Sequence, residues 1–128
     1  MCIRDRIFGE PPGPEDSSLV DVVLDPDGDG GTRLTLTHTA VVAPDFWDRF
    51  GPGAVGVGWD LTLVGLGAHL AGEVLGTQAE MEADPAVRAG TIASSEAWGE
   101  AYRAAGADPA TAAAATAATT EAYVPPEA

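Results

Sequence analysis

The sequence predicts an α+β fold in which an antiparallel sheet packs on one long helix and a helical tail follows. Three observations support this prediction. Residues 33–41 alternate between apolar and polar side chains, which is typical of a half-buried antiparallel strand. Residues 54–75 are apolar and carry bulky side chains at spacings of three and four, which indicates a helix with one apolar side. After Gly76 the composition shifts to Ala, Glu and Thr, and we expect a helical tail there.

A β-hairpin is predicted before the long helix. Residues 19–24 are mostly β-branched and form its first strand. In the second strand Leu34, Leu36 and His38 share one face, and threonines line the other. The connection, residues 25–31, is rich in Asp and Gly, as turns are. It also matches the first half of a calcium-binding loop, but Leu36 stands where that loop needs its last carboxylate, so we interpret it as a hairpin turn.

The long helix follows a short aromatic segment, residues 44–50, which we expect to form about one helical turn. Its apolar stripe recurs every three or four residues and consists of Val55, Trp59, Leu63, Leu66 and Leu70. Several glycines weaken its helix propensity by up to about 1 kcal/mol each relative to Ala. We expect them to allow a close approach of the helix to the sheet or to a ligand. Residues 51–56 match the pattern G-x-G-x-x-G, but no strand precedes them directly, so the match is treated as chance.

Two further helices are predicted in the tail. Two Asp-Pro pairs, at residues 84–85 and 108–109, each combine an N-cap residue with a proline at the first helical position. The first predicted helix covers residues 92–105 and stops at Gly106, and the second covers residues 110–123. We expect the tail to dock through its large aromatic side chains, which are Trp98, Tyr102 and Tyr123.

Charge and cysteine content exclude several classes of function. The chain has 128 residues, with six Lys plus Arg against 20 Asp plus Glu, and a formal charge of -14. Such an acidic chain lacks the clustered cations that bind nucleic acid or anionic membranes. Cys2 is the single cysteine, so neither a disulfide framework nor a thiolate metal site is predicted. The sequence contains no nucleophile elbow, metal-binding pattern or phosphate clamp, and we predict no catalytic residue, no metal and no cofactor.

The sequence also predicts a cytoplasmic location. The N-terminus lacks the apolar region of a signal peptide. The apolar helix contains Asp60 and His69, and a carboxylate at the centre of a bilayer costs roughly 3 kcal/mol. A helix buried within the protein is therefore favoured over a transmembrane one.

Three segments are distinguished along the chain. Residues 1–6 are interpreted as an artefactual leader, residues 7–75 as the sheet with its long helix, and residues 76–128 as an Ala-rich helical extension. Only one hairpin precedes the long helix, and a two-stranded hairpin is marginally stable by itself. We therefore expect that part of the sheet is missing, and that the exposed sheet edge favours self-association.

Two sequence runs resemble a known family. Residues 30–39, GGTRLTLTHT, and residues 50–60, FGPGAVGVGWD, are similar to the C-terminal half of SRPBCC proteins. More narrowly, they resemble the bacterial branch related to the activator of the heat-shock chaperone ATPase. In that family the strand closes the sheet and the helix fills its grip. The resemblance covers roughly residues 19–73 and implies a helix-grip fold, and the tail around residues 95–102 is similar to an extension of actinobacterial members.

The resemblance implies binding of a small hydrophobic ligand, which is our main hypothesis. The lining positions carried over from the family are Leu34, Leu36, His38, Trp59, Leu63, Leu66 and Leu70. The first alternative is a cyclase-like or hydrolase-like enzyme that uses His38 with Asp60 as acid and base. The second alternative is a chaperone cofactor or regulatory protein that binds its partner through the acidic surface.

Overall fold

The computed structural model describes residues 2–3 and 18–126 and confirms the predicted α+β class. The chain divides into two compact units, Met1–Ala43 with the strands and Pro44–Ala128 with the helices. In chain order the elements are β1 (Cys2–Ile3), β2 (Ser18–Pro26), β3 (Thr32–Ala40), α1 (Pro44–Phe50), α2 (Gly53–Leu70), α3 (Gln78–Ala83), α4 (Pro85–Ala104) and α5 (Pro109–Tyr123). The unit boundary falls inside the predicted segment 7–75, whose assignment to one domain stays a prediction.

The sheet unit is built on the predicted hairpin. Its strand order is β1-β2-β3, all antiparallel, with Val20 opposite His38 and Val22 opposite Leu36. These four side chains are half-buried on one face of the sheet, and their neighbours on the other face are exposed. The predicted alternation of the hairpin is therefore confirmed. Of the predicted leader only Cys2 and Ile3 are described, and residues 4–17 lie outside the described part of the chain.

The turn between β2 and β3 is organised by one carboxylate. The Oδ1 atom of Asp27 accepts hydrogen bonds from the backbone N–H groups of Asp29, at 3.0 Å, and Gly31, at 3.1 Å. Gly28 and Gly30 have φ angles of 88° and 83°, which side-chain-bearing residues rarely adopt. The interpretation of this segment as a hairpin turn is confirmed. The carboxylate of Asp27 accepts hydrogen bonds from backbone N–H groups within the turn.

Helix α2 ends at Leu70, five residues before the predicted end at Leu75. Gly72 takes the left-handed conformation, with a φ of 73°. Its N–H donates to the carbonyl of His69 at 3.1 Å, and the N–H of Glu73 donates to that of Ala68 at 2.9 Å. This pair of bonds is the Schellman motif, which satisfies the last carbonyls and ends the helix. The predicted helix continued past Gly72 because Val74 and Leu75 are apolar.

The tail contains three helices where two were predicted. Thr77 and Glu80 form a reciprocal capping box that starts α3. The hydrogen bonds from Thr77 hold the pKa of Glu80 below its usual value. Helix α4 begins at Pro85, earlier than the predicted residue 92, because the carboxylate of Asp84 caps the N–H of Ala86 at 2.7 Å. The predicted stop at Gly106 and the two predicted Asp-Pro caps are confirmed, whereas the predicted range 92–105 left out the first seven residues of α4.

The core of the helical unit consists of small residues. Helices α2, α4 and α5 contact one another, and α1 contacts α5. The side chains with the lowest exposure include Val57, Ser95, Ala112, Ala115 and Thr119. Among the helices in the described part of the chain, none combines the length and the apolar character that a membrane crossing needs.

Candidate functional site

Two glycines in the first half of α2 lie on the face against which other helices pack. Gly53, Gly56 and Val57 are the buried residues of this helix. A Cβ atom built at Gly56 would overlap the indole ring of Trp98 in α4. A Cβ built at Gly53 would lie 2.8 Å from the hydroxyl oxygen of Thr119 in α5. At Gly53 and Gly56 the close approach is therefore made to the helical tail, whereas the sequence predicted an approach to the sheet or to a ligand.

One carboxylate fixes the position of the indole ring. The Oδ2 atom of Asp60 accepts a hydrogen bond from Nε1 of Trp98 at 2.9 Å and another from the hydroxyl of Ser94 at 2.5 Å. Asp60 and both donors are half-buried. A part-buried carboxylate needs such donors because its desolvation is otherwise uncompensated. The sequence carried a signal for this contact, since Ser94 and Trp98 are four residues apart and share one side of α4.

The predicted docking of the tail through its aromatic residues is confirmed. Trp98 reaches Asp60, and the ring of Tyr102 lies edge-on to Trp47 with centroids 5.6 Å apart. The phenol of Tyr123 donates a hydrogen bond to the carbonyl of Ala54 at 2.6 Å. Partial burial of this phenol raises the pKa of Tyr123 above its usual value. The space lined by Gly53, Trp98 and Tyr102 leaves no room for a water molecule.

The predicted ligand-lining residues of α2 lie together on one side of the helix. We call Trp59, Leu63, Leu66 and Leu70 the leucine stripe. Trp59 is half-buried, and Leu63, Leu66 and Leu70 are 39%, 38% and 77% exposed. At 3.6 residues per turn the centre of the stripe is rotated by about 100° from the centre of the face formed by Gly53, Gly56, Val57 and Asp60. The stripe is therefore not the face that packs on α4 and α5.

The predicted ligand-lining residues of the sheet belong to the other compact unit. Leu34, Leu36 and His38 point to the same face of β3. Leu36 and His38 are half-buried beside Val22 and Val20, and Leu34 is exposed nearer the turn. The structure thus groups the seven predicted positions into three on β3 and four on α2.

A groove between α4 and α5 was not predicted from the sequence. It is open to solvent, has a volume of about 700 Å³, and is lined mainly by alanines of the two helices together with Glu96, Glu100 and Arg103. Alanine side chains offer few contact atoms, and binding sites for small molecules usually enclose most of the ligand surface. The open groove has few large side chains with which to enclose a ligand. No cluster of His, Cys, Asp or Glu that could hold a metal ion occurs in residues 2–3 and 18–126.

No protein-family model, curated protein or solved structure matches the chain. Support for a function comes instead from its own side chains and their surroundings. Those observations are a packed glycine face and, beside it on the same helix, an exposed leucine stripe.

Proposed function

We propose that the protein binds a small apolar molecule through the leucine stripe of α2. The observation that carries this proposal is the exposure of Leu63, Leu66 and Leu70 on a helix whose first half is already packed against α4 and α5. Covering apolar surface contributes roughly 25 cal/mol per Å², so a continuous row of leucines favours an apolar ligand. Isolated exposed leucines are ordinary, but a row along one side of a helix marks a binding surface.

The packed first half of α2 supports the same proposal. Gly56 lies against Trp98, and Asp60 hydrogen-bonds the same indole ring. Asp60 is adjacent in sequence to Trp59, the first residue of the leucine stripe. Binding surfaces held by packed side chains lose less entropy when a ligand binds. Trp59, the first residue of the stripe, is therefore next to a residue that two hydrogen bonds hold in place.

The resemblance to SRPBCC proteins favours the same class of ligand. The resemblance also implies that Leu34, Leu36 and His38 of β3 contact a ligand, and a cytoplasmic location belongs to the same proposal. The contribution of β3 needs its own test, because the two groups of residues lie in different compact units.

The main test is titration of the protein with palmitate and, separately, with pyrene, followed by intrinsic tryptophan fluorescence. We expect saturable binding that the double substitution Leu63→Ala/Leu66→Ala weakens at least about tenfold, because both side chains lose most of their contact area. The matched control is Val64→Ala. Val64 is an exposed apolar residue of the same helix, rotated by about 130° from the stripe, and its removal should change the affinity less than about twofold. The proposal is contradicted if neither palmitate nor pyrene binds saturably.

A second pair of variants tests the role of β3. Leu34→Ala removes an exposed side chain on the predicted lining face, and Val23→Ala removes an exposed side chain on the opposite face of the hairpin. Weaker binding in Leu34→Ala alone shows that β3 contributes to ligand binding. Equal binding in both variants confines the ligand to α2.

Neither alternative function has a specific observation in its favour. The carboxylate of Asp60, which the catalytic hypothesis pairs with His38, is bound by Ser94 and Trp98 and serves helix packing. The acidic composition is spread over much of the chain and indicates no particular partner.

A further inference from the structure

The outer edge of β3 carries backbone groups that no described strand pairs with. The sheet order ends at β3, whose ladder neighbour is β2. The N–H of Asp27 donates to the carbonyl of Gly31 at 3.2 Å, so this pair is hydrogen-bonded. Hydrogen-bonded pairs alternate along an antiparallel ladder. Thr35 and Thr37 therefore direct their backbone groups toward β2, and Leu34 and Leu36 direct theirs toward the outer edge.

This edge lacks the usual protection against pairing. Exposed edge strands are commonly blocked by proline, lysine, inward-pointing charges or a bulge. The nine residues Thr32–Ala40 include no proline and a single charged residue of fixed charge, Arg33 near one end, and their register with β2 has no interruption. Strand β2 differs, since it contains Asp21, Asp25 and Pro26, and β1 pairs with it at Val20 and Asp21. The residues that discourage edge pairing therefore lie on β2 and not on β3.

The charge pattern selects a second copy of this strand as the occupant. The chain carries a formal charge of -14, yet residues 30–44 contain no acid and one arginine. A second β3 therefore approaches without the repulsion that most other segments of the chain would bring. A two-stranded hairpin is marginally stable, whereas three or more strands with an apolar face form a stable sheet. A further long strand beside β3 would therefore stabilise the hairpin.

We propose that β3 pairs antiparallel with β3 of a second copy of the chain, across a two-fold axis beside Leu36. This register uses all nine residues of the strand, because Leu36 is its central residue. Every residue then faces one of the same parity, so the half-buried apolar faces stay on one side of the joined sheet. Thr35 lies opposite Thr37 of the second copy, and Arg33 lies opposite a threonine. The result is an antiparallel sheet with four long strands.

The register makes a charge test possible. In Thr35→Lys/Thr37→Lys, lysines meet lysines twice across the axis. In the matched variant Thr35→Glu/Thr37→Lys, each glutamate meets a lysine. Both variants carry Thr37→Lys, which places a lysine opposite Asp21 of β2. The pairing at Asp21 is therefore the same in both variants, and the charge pairs across the proposed interface differ. Directly opposed like charges destabilise strand pairs and opposite charges stabilise them.

Light scattering coupled to size-exclusion chromatography measures the mass of each variant over a range of concentrations. We expect the unmodified chain to have twice the monomer mass of 13.0 kDa, the double-lysine variant to dissociate at least about tenfold more readily, and the glutamate–lysine variant to remain a dimer. A monomeric unmodified chain at all concentrations overturns the proposal, and so does a double-lysine variant that remains a dimer.

A proline variant keeps the test valid if the charged variants do not fold. Leu34→Pro removes an N–H that points to the outer edge, so the ladder to β2 retains its hydrogen bonds. We expect a folded monomer by circular dichroism and light scattering. A folded Leu34→Pro dimer overturns the proposal. Mass that keeps growing beyond the dimer also overturns it, because a two-fold pair of edges is closed. The outcome is independent of ligand binding, since mass is measured with no ligand added.

Discussion

The two halves of α2 differ in what they bury. In the first half the buried positions are Gly53, Gly56 and Val57, and the large ring against Gly56 belongs to Trp98 of α4. In the second half Leu63, Leu66 and Leu70 are exposed. The smaller side chains are thus inside and the larger ones outside. Apolar size alone does not decide burial, because a helix is buried where a neighbouring surface fits it closely.

The difference also separates stability from binding along one helix. The first half fits closely against its neighbours, and Asp60 accepts two hydrogen bonds there. Substitutions in this half should therefore change the free energy of unfolding. The second half has exposed leucines, so substitutions there should change binding more than stability. Four substitutions test this separation, in decreasing order of expected effect on the free energy of unfolding.

Gly56→Ala should be the most destabilising change. The added methyl group overlaps the ring of Trp98, which Asp60 holds in place, and such overpacking costs about 3 kcal/mol at the upper end of its range. The matched control is Gly67→Ala in the second half of α2, where an added Cβ has no neighbour within 4 Å. It should raise the free energy of unfolding by about 0.5–1 kcal/mol through helix propensity. Equal effects in urea denaturation would remove the contrast between the two halves.

Asp60→Ala should cost about 2 kcal/mol, because two donors lose their charged acceptor. Urea denaturation followed by circular dichroism measures the change. A double-mutant cycle with Trp98→Phe isolates the bond to the indole, and we expect a coupling of at least about 0.5 kcal/mol. Asp48→Ala removes an exposed carboxylate of α1 and should have an effect within about 0.5 kcal/mol. If the effects of Asp60→Ala and Trp98→Phe on the free energy of unfolding simply add, the hydrogen bond between the two side chains does not stabilise the fold.

Tyr123→Phe should cost about 1 kcal/mol, since the bond to the carbonyl of Ala54 is lost at a partly exposed position. The variant should also change the alkaline stability. Burial raises the pKa of Tyr123 in the folded state above 10.0, its ordinary value. Its contribution to stability is therefore complete below pH 10 and is lost as the pH rises through the folded-state pKa.

The alkaline measurement is unusually direct because the six cations of this chain are all arginines. Arginine does not titrate in this range, so tyrosines dominate the change above pH 10. The free energy of unfolding of the unmodified protein should fall more steeply between about pH 10 and 12 than that of Tyr123→Phe. Tyr102→Phe serves as the control, and a steeper fall in Tyr123→Phe than in the unmodified protein would contradict the assignment.

Leu70→Ala should have the smallest effect on stability, within about 0.5 kcal/mol, because the side chain is 77% exposed. The same variant should weaken palmitate binding if the leucine stripe is the binding surface. Thermal denaturation and the fluorescence titration measure the two quantities on one sample. A loss of stability comparable with that of Gly56→Ala would mean that the second half of α2 is a core element.

Local patterns predicted much of the secondary structure. The hairpin and its alternating faces, the stop at Gly106, and the Asp-Pro helix starts depend on neighbouring residues and on backbone geometry. The end of α2 was predicted at residue 75, and the structure ends it at Leu70. The signal there was a single glycine, Gly72, within an apolar segment, and hydrophobic periodicity does not detect such a residue.

The sequence by itself determined where the strands and most helices lie and which residues share a face, because these depend on backbone geometry and side-chain periodicity within a few residues. Only the tertiary structure decided that Gly56 is buried and Leu70 is exposed. Burial depends on which distant surface meets each face, and here the partners Trp98 and Thr119 come from helices far along the chain. The shape of an indole ring, and not the hydrophobicity of α2, selected the glycine face for packing.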